Sequence, residues 1–111
     1  MLISRWFDNL TGPQRMVEDL TKSIAPRCEP AVWARIEALV QTMDPAQSRG
    51  YIRARAASVI EREVSLAVES LEEKSDSLVQ RLTASVSDAV VRKMMASVAS
   101  QLPAPQLRRA A

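Results

Sequence analysis

The sequence predicts an all-α fold, a small helical bundle with two short N-terminal helices and a long helical region behind them. Three observations predict it. Apolar residues recur at three- and four-residue spacing along most of the chain, four of the six prolines fall where a helix would start or has just ended, and no proline interrupts residues 46–102. The composition agrees: 47% hydrophobic and 25% charged residues are ordinary for one folded domain, and 111 residues are too few for two.

Residues 1–12 read as an amphipathic lead segment, because Leu2, Ile3, Trp6, Phe7 and Leu10 share one face at 3.6 residues per turn. Gly12-Pro13 then reads as an N-cap with proline at the first helical position, opening a helix over 13–24 that carries Met16, Val17, Leu20 and Ile24. Two prolines four residues apart, Pro26 and Pro30, mark 25–30 as a connector, since each fixes φ and removes a helical donor. A second helix over 30–43 presents Val32, Trp33, Ile36, Leu39, Val40 and Met43 as one apolar stripe.

Asp44-Pro45, with Gln47 three residues after the cap, predicts a strong helix start by a capping box. The region from there to Leu102 is helical throughout, and capping favours a hairpin of two arms, 45–73 and 77–102, over one continuous helix. Ser77 with Gln80 offers a second capping box, and the polar run from Glu72 to Asp76 suits an exposed bend. The continuous reading rests on Leu71, Ser75, Leu78 and Leu82, which keep the helical rhythm through the bend. Leu82, Val86, Val90, Met94, Val98 and Leu102 recur every four residues, a row that drifts by about 40° per step. Such a spiral suits packing against several neighbours rather than a strict two-stranded seam. Residues 103–111, with two prolines and two arginines, read as a flexible tail.

The residue inventory excludes much chemistry. With no histidine, one cysteine and two glycines, the chain lacks the usual material for metal sites, imidazole catalysis and glycine-rich phosphate loops, so it reads as a non-enzyme without metal or cofactor. The net charge is only +2, but it is banded: −1 over 1–44, +3 over 45–60, −4 over 61–76 and +4 over 77–111. No secretory signal pattern or transmembrane segment is legible, and a single Cys28 suits a reducing cytoplasmic setting.

Four features carry candidate function. Ile60, Val64, Val68 and Leu71 form an apolar row for partner docking. Arg49, Arg53, Arg55 and Arg62 border a second apolar stripe, Ile52, Ala56, Val59 and Ile60, as candidate phosphate contacts, with Tyr51 available to stack on a base. Glu69, Glu72, Glu73 and Asp76 crowd one face and read as a solvated bend. Trp6 and Phe7 could touch a membrane surface peripherally, although capping the core explains them better, because large aromatics dominate the area that small cores bury. Cys28 reads as a half-buried loop residue.

These features predict a helical interaction protein, a homo-oligomeric adaptor or regulatory subunit whose partner is a protein or a second copy. The alternative is a nucleic-acid-binding regulator using the arginine-rich helix start, with no recognisable helix-turn-helix pattern around it.

Overall fold

A computed structural model describes the protein over residues 2–71 and 75–101, with side chains over 14–71 and 75–100. It is an all-α bundle of three helices, α1 (Leu2–Val40), α2 (Pro45–Val68) and α3 (Asp76–Gln101), each packed against both others. The expected class therefore holds, and the hairpin reading of the second half holds with it.

The first half differs from expectation. One helix, α1, runs from Leu2 to Val40 where a lead segment, two short helices and a connector were expected. Pro13, Pro26 and Pro30 lie inside it. Proline's φ is already helical; its costs are a missing donor and a clash with the preceding turn, together about 3 kcal/mol in a helix interior. Pro26 and Pro30 are both exposed, as is Lys22, so the carbonyls of Lys22 and Pro26 that lose a partner can turn to water. The opposite face of the same turns carries Ile24, Cys28, Val32, Ile36 and Val40, all 0–1% exposed and four residues apart. Fully burying a side chain of this kind is worth about 1.5–3 kcal/mol. The row that crosses both prolines therefore outweighs what the prolines cost.

The α1–α2 corner follows the sequence closely. Thr42 and Met43 donate backbone N–H groups to Leu39 and Val40, closing α1 in a turn just before the next cap. Asp44 caps α2: its carboxylate accepts from the Gln47 N–H at 2.8 Å, and Gln47 Oε1 accepts from the Asp44 N–H at 3.2 Å. The cap of α3 is Ser75 instead of the expected Ser77; its Oγ accepts from the Leu78 N–H at 3.0 Å. Ser75 wins because Leu78, buried in the core, then stands at the third helical position where the capped N–H is needed.

The core is continuous among the three helices. α1 supplies the row just named, α2 gives Ile52, Ala56, Ile60 and Val64, and α3 gives Leu82, Val86, Val90, Val91 and Met94. The four-residue row of α3 packs against two neighbours, which its drift requires. Of the stripe expected over 30–43, Leu39 instead stands 49% exposed. Buried Thr21 donates to the Val17 carbonyl at 2.7 Å and pairs with Ser85 Oγ of α3 at 2.8 Å, tying the two helices side by side.

α1 is longer than its partners. Its 39 residues span about 58 Å, whereas the 24 of α2 and 26 of α3 span about 36 and 39 Å. The long axis of the molecule measures 62 Å. Ser48 Oγ donates to the Val40 carbonyl, so α2 starts beside the C-terminal end of α1 and the excess length lies at the N-terminal end. Among the described residues no helix is long and apolar enough to cross a membrane. The side chains of Trp6 and Phe7, residues Glu72 and Glu73, and the tail over 103–111 lie outside the described residues.

Candidate functional site

The apolar row expected to dock a partner is interior to the chain. Ile60 and Val64 are 1% exposed and Val68 7%, while Leu71 is half-buried and packs on the same cluster. The expectation of an open docking face on 60–71 is thereby corrected. The row is covered within the chain because α2 packs against both α1 and α3.

The arginine-rich start of α2 is exposed but partly engaged. Arg53 Nη2 lies 3.7 Å from Asp88 Oδ1 of α3, with both side chains more than half exposed. Such a surface pair is worth little, about 0–1 kcal/mol. The Arg55 guanidinium sits 5.5 Å from the centre of the Tyr51 ring, a cation–π contact. Tyr51 is half-buried, and its hydroxyl donates to the Arg35 carbonyl at 3.3 Å. The ring expected to stack on a base is thus held against α1. Arg49 and Arg62 are exposed without an ion pair among the described residues. Arg62 does not join the others at the helix start; it turns to a different neighbourhood.

That neighbourhood is a groove between α1 and α2 of about 410 Å³. Arg27, Ala31 and Arg35 line it from α1, and Ser58, Val59, Arg62 and Glu63 from α2. Arg35 bridges the helices: its Nη1 donates to Ser58 Oγ at 2.7 Å and more loosely to the Arg55 carbonyl at 3.4 Å. Sequence reasoning reached Arg62 but missed Arg27 and Arg35. The signal was there, since 27, 31 and 35 are spaced by four, but a connector over 25–30 would separate the first from the last.

Cys28 lies below this region, fully buried in α1 instead of half-buried in a loop. Burial pushes its thiol up from 9.0 to about 11, helped by the carboxylates of Glu63 and Glu29. A thiol so shifted is almost wholly protonated at neutral pH and a poor nucleophile. A second, shallower groove of about 290 Å³ lies between α1 and α3. Its charges alternate, with Glu18 and Asp88 set among Lys22 and Arg92, and so favour neither sign of ligand.

Comparison with known proteins gives no match to a family model, a curated protein or a solved structure.

Proposed function

We propose that the protein is a non-enzymatic helical interaction protein, a homo-oligomeric adaptor or regulatory subunit that works by helix-face docking. The observation that supports this reading is the length of α1, which exceeds α3 by 13 residues, or about 20 Å, at its N-terminal end. Among the described residues, α2 and α3 are each too short to run beside the whole of α1. The stretch in excess carries Leu2, Ile3, Trp6, Phe7 and Leu10 at one-face spacing. An amphipathic helix stripe is relieved by burial against an apolar partner, and a second copy in cyclic symmetry is the commonest solution among oligomers. Met16 and Leu66, 38% and 53% exposed, add apolar surface toward the same end of the bundle.

The docking element is therefore the start of α1 in place of residues 60–71. The missing histidines and the raised Cys28 thiol favour a binding role over a catalytic one. A reducing compartment such as the cytoplasm suits the lone thiol. The double variant Trp6→Glu, Leu10→Glu tests the reading by sedimentation equilibrium. The parent chain is expected to sediment as an oligomer and the variant as a monomer of unchanged helical content. A parent and variant of identical mass would refute the docking role of α1.

A further inference from the structure

We infer that the groove between α1 and α2 binds a phosphorylated ligand, with the phosphate held by Arg27, Arg35 and Arg62. This site is independent of the proposed self-association, which uses the first turns of α1.

Three arginines from two helices line one groove, and Glu63 is the one carboxylate among its lining residues, which leaves three positive charges against one negative, or +2. Among the described residues the Arg53–Asp88 contact is the one ion pair, so none of the three groove arginines has its charge neutralised within the chain. A phosphomonoester carries about −1.5 to −2 at pH 7, which matches the surplus.

One of the three arginines is also held in place in advance. Arg35 is anchored through Nη1, which leaves its Nη2 and Nε to donate to an oxyanion. Ser58 Oγ accepts from Arg35, so its own proton is free to be donated into the groove. Guanidinium forks suit phosphate oxygens because they donate in parallel pairs. The groove is larger than a phosphate needs, and Ala31 and nearly buried Val59 give an apolar wall for the group that carries it. That carrier is either a free small phosphoester or a phosphorylated side chain of a protein.

The test is calorimetric titration of the full chain with phenyl phosphate, with a phosphoserine pentapeptide and with inorganic phosphate. Saturable binding is expected, tighter for whichever of the first two represents the true carrier than for inorganic phosphate. Arg62→Gln, which removes no hydrogen bond within the described residues, is expected to weaken binding about tenfold or more, as is Arg35→Gln. Arg49→Gln, outside the groove, should leave it unchanged, and Glu63→Gln should tighten it several-fold by removing a repelling carboxylate. Circular dichroism of each variant verifies that the bundle is intact. Absence of saturable binding at millimolar probe overturns the inference. So does equal weakening by Arg49→Gln and Arg62→Gln, or binding of duplex DNA that is tighter than that of every phosphate probe.

Discussion

Cys28 shows how a residue's environment, rather than its neighbours in sequence, sets its chemistry. Flanked by Arg27 and Glu29 and two positions from each of two prolines, it reads locally as a half-buried loop residue; the structure buries it completely on the inner face of α1. Its thiol is raised from 9.0 to about 11, first by burial and then by Glu63 and Glu29. A folded-state value above the unfolded one means that the native bundle holds the proton more tightly. The resulting stabilisation is complete below pH 9 and is lost as the pH climbs through 11. The stability advantage of the parent over Cys28→Ala should therefore shrink by about 2–3 kcal/mol across that window, as followed by urea unfolding. An advantage that stays constant from pH 8 to 11 would mean the thiolate is accommodated without cost. None of this was legible in the sequence, because burial of Cys28 depends on α1 staying intact across residues 26–30.

The elements divide by how local their determinants are. Asp44, Pro45 and Gln47 define the start of α2 within four residues, and the structure forms that cap as the spacing predicts. The start of α3 was legible to within two residues; Ser75 and Ser77 are both competent caps, and burial of Leu78 chooses between them. The continuity of α1 was not legible. Local punctuation says stop at Pro26 and Pro30, while a buried row on the far face, visible only once α2 and α3 are in place, says continue. Replacing Pro26 or Pro30 with Ala restores a helical donor on an exposed face. Each is expected to stabilise the bundle by about 1–3 kcal/mol, reduced by the freedom regained in the unfolded chain. A loss of stability in thermal unfolding of either variant would show that the prolines shape α1 to its partners. Gly50 offers a simpler case within α2: it is exposed, and an added Cβ would meet nothing within 4 Å. Gly50→Ala should raise stability by about 0.5–1 kcal/mol, and a decrease in its melting temperature would contradict the helical placement.

For the molecule as a unit, the same continuity changes where function can reside. An unbroken α1 closes the core over Ile60, Val64 and Val68, removing them from the surface, and is itself 13 residues longer than α3. It also brings Arg27 and Arg35 beside Arg62, a grouping that no single segment of the sequence contains. The all-α class, the hairpin and the apolar stripe over residues 1–12 were legible because helical periodicity and capping are local; the arginine groove was not, because it is defined by which helix lies beside which. Light scattering coupled to size-exclusion chromatography, at about 100 mM and about 500 mM salt with absorbance read at 260 and 280 nm, tests the self-association claim most directly. The proposal predicts a mass that is a multiple of 12.3 kDa, unchanged between the two salts and free of nucleic acid. A monomer at both salts, or one that carries nucleic acid at low salt and sheds it at high salt, would contradict it.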